Sequence, residues 1–137
     1  MKKKFSKSWV SSVQPRKQRK YRYNAPLHIR KKFMTALLDK SLRKKFGIKH
    51  IPIRKGDEVM VMRGKFKKTI GSVLSVDLKK LKIKIDNVKI KKVSGEEVHV
   101  PIDPSNVKII KLYTEDKKRF KRIRVVQVGM DEKEHGT

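Results

Sequence analysis

The sequence predicts a mainly β domain: a small, strongly curved β-barrel over residues 50–113, with a basic N-terminal extension holding one or two helices and a short helical C-terminal extension. Three observations predict it. After Ile48 the apolar period changes from 3.6 to 2. Turn signals then recur at short intervals, at Gly56-Asp57, Asp86-Asn87, Ser94-Gly95 and Asp103-Pro104-Ser105-Asn106. The charge is front-loaded: residues 1–49 hold 17 Lys/Arg against one acid, residues 50–113 hold 15 against seven, and residues 114–137 hold seven against five. A length of 137 residues suits one compact domain with tails.

Residues 1–23 carry nine Lys/Arg and no acid, and their apolar residues follow no sustained period. Such a segment buries too little apolar area to offset its ordering entropy, so it is expected to stay disordered until it meets an anion. A helix-bearing extension follows over residues 24–49. Asn24 or Ala25 serves as N-cap, Pro26 lies in the first turn, and Leu27, Phe33, Met34, Leu37 and Leu38 fall on one helical stripe. Arg30 and Lys31 stand near the start of that helix, where the macrodipole disfavours cations; an external anion accounts for them better than helix stability does, with a solvated face as the other reading. Asp39 caps a second short helix, with Leu42 and Phe46 as its apolar pair and Gly47 as its stop.

Strand signals occupy the middle of the chain. Ile51 and Ile53 alternate around Pro52, Val59 and Val61 oppose Met60 and Met62, and Leu81, Ile83 and Ile85 alternate with lysines. Val88 and Ile90 continue shifted by one position, which a bulge or tight turn at Asp86-Asn87 would produce. Ser94-Gly95 joins two short strands as a hairpin, and Val107–Leu112 forms the last strand. In the tail from residue 114, Glu115 and Asp116 favour the first turn of a helix whose Phe120 and Ile123 share a face, and Asp131 to Thr137 is a polar, frayed end.

The most informative stretch runs from Ile53 to Val73: a strand entered through Gly56-Asp57, a glycine-hinged basic loop from Arg63 to Lys68, and a return strand with Gly71 at a close approach or bend. Gly64 lets the loop backbone adopt a positive φ and approach a phosphate. Arg63, Lys65 and Lys67 supply cations, and Phe66 supplies a flat face. An ordinary basic hairpin has the same spacing.

The pattern Gly56-Asp57-x-Val59-x-Val61-x-x-Gly64 with Gly71-x-Val73 resembles the KOW motif of small SH3-like barrels, found in ribosomal proteins and transcription elongation factors. The flanks sharpen the resemblance. Pro15-Arg16-Lys17-Gln18-Arg19-Lys20, Asn24-Ala25-Pro26-Leu27-His28, Pro52-Ile53-Arg54-Lys55-Gly56-Asp57 and Pro104-Ser105-Asn106-Val107 together resemble one family of large-subunit ribosomal proteins, numbered twenty-four in the universal count and twenty-six in the eukaryotic, in its archaeal and eukaryotic form. Four separated blocks occur in order, from about Pro15 to Leu112. The family usually has glycine at the position of Lys68, which puts a positive-φ turn there in question while adding charge. Residues 1–14 and those after Tyr113 match no block.

The resemblance implies a structural, non-enzymatic protein of the cytoplasmic large subunit. It would bind rRNA early in assembly, beside neighbouring large-subunit proteins, near the exit of the nascent-chain tunnel and within reach of nascent-chain or targeting factors. The residues expected to meet rRNA are Arg16, Lys17, Arg19, Lys20, Tyr21, Arg22, Tyr23 and Asn24 in the arm and His28, Arg30, Lys31 and Lys32 in the first helix. Arg54, Lys55, Arg63, Gly64, Lys65, Phe66, Lys67 and Lys68 are expected to do so in the barrel. Tyr21, Tyr23, Phe66 and Trp9 are the aromatics expected to stack on unpaired bases, with packing onto the fold as the alternative for each.

Composition narrows the function independently. A net charge of +26 repels itself unless a polyanion cancels it. The longest apolar run, Val59-Met60-Val61-Met62, is too short for a membrane span or a signal-peptide core, so membrane insertion is not expected. Without cysteine there is no disulfide framework or thiol chemistry, which fits an intracellular protein. His28, His50, His99 and His135 are too scattered to form a metal site, and the adjacent acids Asp57-Glu58 and Glu96-Glu97 would point to opposite faces of a strand, as suits turn chemistry and local balance against lysines. No metal or cofactor is expected. The competing readings are a KOW-type RNA-binding transcription or translation factor outside the ribosome, which would bring a second recognition domain, and a DNA-compacting protein, which would not account for the four blocks.

Overall fold

The computed structural model describes residues 11–121 together with Phe5, Ser6, Trp9 and Ile123. The first helix, α1 (Pro15–Asn24), occupies ground expected to be an unstructured arm. Pro15 fixes φ at the first helical position, and the Arg, Lys, Gln and Tyr run behind it contains no glycine or β-branched residue, so local propensity suffices. The expectation about burial stands, because α1 buries none of its residues.

Pro26, expected in the first turn, is itself the cap of α2 (Leu27–Phe33) in place of Asn24 or Ala25, and its carbonyl accepts from Ile29 and Arg30 N–H. The predicted stripe through Leu37 and Leu38 is corrected here: the helix stops at Phe33, and residues 35–38 form strand β1 (Thr35–Leu38). The spacing fits both periods, but flanking strands offer β1 ladder partners on both sides, and Ala36 and Leu38 point into the core. Helix α3 (Lys40–Phe46) ends at Gly47 with φ 67°, a left-handed stop that glycine adopts at no steric cost. Asp39 precedes it, yet its carboxylate accepts from Ser41 Oγ and from Lys108 Nζ at 3.1 Å rather than capping backbone.

The remaining strands are β2 (His50–Pro52), β3 (Glu58–Val61), β4 (Ile70–Asp77), β5 (Lys82–Ile85), β6 (Lys89–Lys91), β7 (Glu97–His99) and β8 (Val107–Lys111). Among the described residues six of the eight strands, β1 included, form one mixed sheet in the order β2-β1-β8-β3-β4-β5, and β6 and β7 make a separate hairpin. Only β1 and β8 run parallel. The mainly β character holds, but among the described residues the ladder does not close: β2 and β5 stand at opposite ends, and β5's far side carries just a bridge to Ile102. The inserted strand is β1, from a segment read as helix, so the sheet also draws on residues outside 50–113.

Leu38, Val59, Ile83, Ile85, Val107 and Ile109 lie at the centre of the core with no exposed surface. Gly71 is a close approach, as expected: a Cβ there would stand 2.8 Å from Ile85 Cγ2 and 3.3 Å from the Asn87 backbone nitrogen. Asn87 answers by donating from Nδ2 to the Ile70 carbonyl at 2.6 Å, which pins the Asp86-Asn87 turn and lets Val88 drop inside.

The segment after β8 returns to the sheet through α4 (Lys117–Phe120), whose first turn is capped by Asp116 accepting from Lys118 N–H at 3.0 Å. Phe120 stacks on Phe46 with ring centroids 5.7 Å apart. Arg119 reaches Asp57 in a buried, two-pronged ion pair, Nη1 to Oδ1 and Nη2 to Oδ2, both at 2.6 Å. The two side chains are 4% and 0% exposed. Asp57 also accepts from the Arg54 and Tyr113 N–H groups, and Arg119 also donates to the Pro52 carbonyl at 3.0 Å. The expectation of local balance for Asp57 is thus corrected: its turn role is real, but its charge is answered by an arginine 62 positions away. The segment from residue 131 lies outside the described residues.

Replacing Arg119 with alanine leaves a carboxylate buried without its counter-charge, and the expected loss is about 3–5 kcal/mol in urea unfolding. Arg119→Lys should recover only part, since one ammonium does not reproduce the fork. A loss under about 1 kcal/mol for Arg119→Ala would show that α4 is an appendage.

Candidate nucleic-acid interface

The loop between β3 and β4 is built on four backbone hydrogen bonds. Val61 N–H donates to Thr69 O at 2.9 Å and Lys68 N–H to Val61 O at 2.7 Å, while Lys67 and Thr69 close back on Gly64 and Phe66. Gly64 turns with φ 93°, and no atom lies within 4 Å of where its Cβ would stand, so its dihedral and not crowding calls for glycine. Lys68 adopts φ 68°, so the left-handed turn survives without glycine there. Strain of this kind costs on the order of 1 kcal/mol or more. Phe66 is half-buried and packed against the core, which makes it the anchor of the loop. Around it Arg63, Lys65, Lys67 and Lys68 all project into solvent.

The second group of cations lies on α1. Arg16, Lys17, Arg19, Lys20 and Arg22 stand along it with no buried position among them, and Tyr23 is 80% exposed near its end. Tyr21 takes its packing alternative: it stacks on Trp9 at 4.2 Å between ring centroids and contacts Phe5 at 5.0 Å and Phe33 at 5.7 Å. Asn24 is half-buried, and His28, Lys31 and Lys32 are exposed on α2.

Arg30 has an internal use. Its Nε donates to Ala25 O at 2.9 Å and Nη1 to Lys79 O at 2.8 Å, and Nη2 bonds the Tyr23 carbonyl. One guanidinium therefore ties the end of α1 to the turn between β4 and β5. Contrary to expectation, the macrodipole does not oppose these cations: α2 has only seven residues, and Arg30, Lys31 and Lys32 occupy its last turn, where cations are favoured. Arg54 is likewise engaged, in an ion pair with Asp116, while Lys55 stays exposed.

The acids are largely occupied within the scaffold. Glu58 pairs with Lys111, Glu97 with Lys89, and Asp103 with Lys82. The Lys108 ammonium, hydrogen-bonded to Asp39, holds that carboxyl below its usual range. Burial pushes Asp103 up, but the Ser105 N–H and O–H and the Lys82 charge outweigh it and hold the group below its ordinary value. Among the described residues, no carboxylate stands in ion-pair contact with Arg63, Lys65, Lys67 or Lys68, or with the arginines and lysines of α1. No His/Asp/Glu group suited to a metal ion occurs among them either.

Sequence reasoning missed one feature beside this surface. A groove of about 530 Å³ is lined by Arg54, Lys55, Gly56, Tyr113 and Asp116. Tyr113 sits on Gly56 so closely that a Cβ there would fall 2.9 Å from its Cδ2, and its hydroxyl donates to Glu115 Oε2 at 2.6 Å. That hydrogen bond pushes the Tyr113 phenol up from its ordinary value. A lone aromatic after the last strand has no periodic signature, and the sequence signal is limited to the glycine at position 56, whose φ of 93° and contact with Tyr113 the structure supplies.

A family model for ribosomal proteins, L26 in eukaryotes with its archaeal counterpart numbered twenty-four, matches residues 12–125, spanning every element from α1 to α4. The chain belongs to that family. Among curated relatives of this L26-family member is a protein named large ribosomal subunit protein uL24 from Korarchaeum cryptofilum (strain OPF8), 49% identical over 123 residues, covering 90% of this chain and 94% of the relative. A second of the same name, from Pyrobaculum islandicum (strain DSM 4184 / JCM 9189 / GEO3), is 47% identical over 116 residues, covering 85% and 94% respectively. The match reaches past Tyr113, where no block of resemblance was seen, and so takes in the L26-family member's α4 and its Arg119.

Because Lys68 holds a left-handed turn, Lys68→Gly should raise stability by about 0.5–1 kcal/mol in urea unfolding while removing one exposed cation. A loss of stability would mean that the lysine makes a compensating contact.

Proposed function

We infer that this L26-family member is a structural, non-enzymatic constituent of the large ribosomal subunit that binds rRNA and works in the cytoplasm. Family membership across nearly the whole chain carries the reading. Physical support comes from the charge distribution: Asp39, Asp57, Glu58, Glu97, Asp103 and Asp116 are ion-paired within the scaffold, while the 63–68 loop and α1 keep cations facing outward. Phosphate neutralisation by these groups supplies affinity and fixes orientation, and carries little sequence information.

We propose further that the open sheet corresponds to the SH3-like barrel of KOW proteins, supported by the Gly56-Asp57 turn, Gly64 and Gly71 in their motif positions. Residues 1–23 act as the RNA-facing arm, 24–49 as an extension that lends a strand, 50–113 as the KOW unit and 114–137 as the tail. Of the expected contact residues, Arg16, Lys17, Arg19, Lys20, Arg22, Tyr23, His28, Lys31, Lys32, Lys55, Arg63, Lys65, Lys67 and Lys68 reach solvent and are free to meet RNA. Arg30, Tyr21 and Phe66 hold those residues in place. Early assembly, and a position near the tunnel exit within reach of targeting factors, rest on the family resemblance.

Binding to a domain-sized rRNA fragment should weaken steeply with salt, with a log–log slope steeper than about −3. Replacing Arg16, Lys17, Arg19 and Lys20 together should make the slope shallower by roughly 3, at about 0.7–0.9 per phosphate contact, and leave the melting temperature nearly unchanged, since α1 buries none of its residues. An equal fall in stability would place α1 within the cooperative fold. In sedimentation, the protein should stay with large subunits through a high-salt wash; quantitative release would favour a KOW-type factor.

A further inference from the structure

We propose that Tyr113, seated on Gly56 at the groove with Lys55 and Arg54, is a base-stacking site for an unpaired nucleobase of RNA. This rests on the rRNA-binding reading and names a site within it. The aromatics first suited to stacking are largely spent elsewhere: Phe66 packs against the core and Tyr21 lies against Trp9, Phe5 and Phe33. Tyr23 is 80% exposed at the end of α1, without a comparable seat.

Tyr113 differs in being exposed and fixed together. It is 38% exposed, yet its backbone N–H donates to the buried Asp57 at 2.8 Å, its ring rests on Gly56, and its hydroxyl is held by Glu115 at 2.6 Å. Ordering an aromatic side chain on binding costs affinity, and here the ordering is done beforehand. Gly56 is the neighbour that allows this seat, because any side chain at φ 93° would be both strained and in collision with the ring.

The acids beside the ring are both engaged: Asp116 by Arg54 and by its cap bond to the Lys118 N–H, and Glu115, which keeps its charge, by the Tyr113 hydroxyl at the far edge of the ring. Lys55 is exposed beside it without a carboxylate partner among the described residues, so a phosphate adjoining the stacked base has a cation to meet. A flat face flanked by one unpaired cation, with the Arg54 guanidinium already engaged by Asp116, predicts stacking with little base preference.

The test uses the full chain with two probes, hexauridylate and an abasic hexamer of the same backbone, together with the domain-sized rRNA fragment. The wild type should bind hexauridylate about tenfold or more tightly than the abasic strand. Tyr113→Leu should erase that difference while leaving the salt slope unchanged, Tyr113→Phe, which keeps the ring and its Gly56 seat but loses the Glu115 bond, should keep most of it, and Lys55→Gln should make the slope shallower by about 0.7. Photocrosslinking with 4-thiouridine in the hexamer should mark Tyr113, a readout that does not depend on the variants folding. Equal wild-type binding of both hexamers, or undiminished discrimination by Tyr113→Leu, would overturn the site while rRNA binding stands. Failure of the wild type to bind the rRNA fragment would overturn the underlying reading instead.

Discussion

The buried pair between Asp57 and Arg119 is the constraint on which the arrangement depends. Asp57 lies in the turn that opens β3, and its two oxygens take the N–H of Arg54 before it, the N–H of Tyr113 after β8, and both prongs of Arg119 from α4. Arg119 adds the Pro52 carbonyl at the end of β2. One ion pair thus joins the end of β2, the start of β3, the exit of β8 and α4. Desolvating two charges is costly, and the cost is offset only when their hydrogen-bonding capacity is nearly filled. Here it is nearly so, with Arg119 Nε as the one buried side-chain polar atom left without a partner among the described residues.

The same pair decides what the surface offers. It fixes the Arg54-Lys55-Gly56 turn, places Tyr113 over Gly56, and holds α4 so that Phe120 meets Phe46. Asp103, Glu97, Asp39 and Glu58 are drawn into pairs with Lys82, Lys89, Lys108 and Lys111, and the cations of α1 and the 63–68 loop are among those left facing solvent. The scaffold and the interface are two consequences of one distribution of charge: carboxylates staple a small β domain, and the cations left over face outward toward a polyanion.

Arginine and the aromatics divide along a line that residue type alone does not draw. Arg30 clips backbone carbonyls, Arg54 and Arg119 pair with aspartates, and Arg16 and Arg63 stay exposed. Phe66 and Tyr21 serve as anchors from which neighbouring cations project. Positioning and contact are therefore carried by different members of the same residue classes, and a planar fork suits either use.

The sequence by itself pointed to a polyanionic partner and determined the mainly β character, the helix stop at Gly47, the glycine turn at Gly64 and the hairpin at Ser94-Gly95, because net charge and backbone dihedrals are local properties; at Gly71 it marked the position, while the fold supplied Ile85 and Asn87 as the neighbours. It also carried the family resemblance through four short blocks. Tertiary structure alone decided that residues 35–38 are a strand, since their spacing satisfies both periods until β2 and β8 supply ladder partners. It decided that Arg30 is a clip and Phe66 an anchor, because residue type alone does not say whether a side chain meets solvent or the fold. It also decided that Asp57 answers to Arg119 and that Tyr113 sits on Gly56, since contacts across more than fifty positions follow from the path of the chain and leave no periodic trace along it.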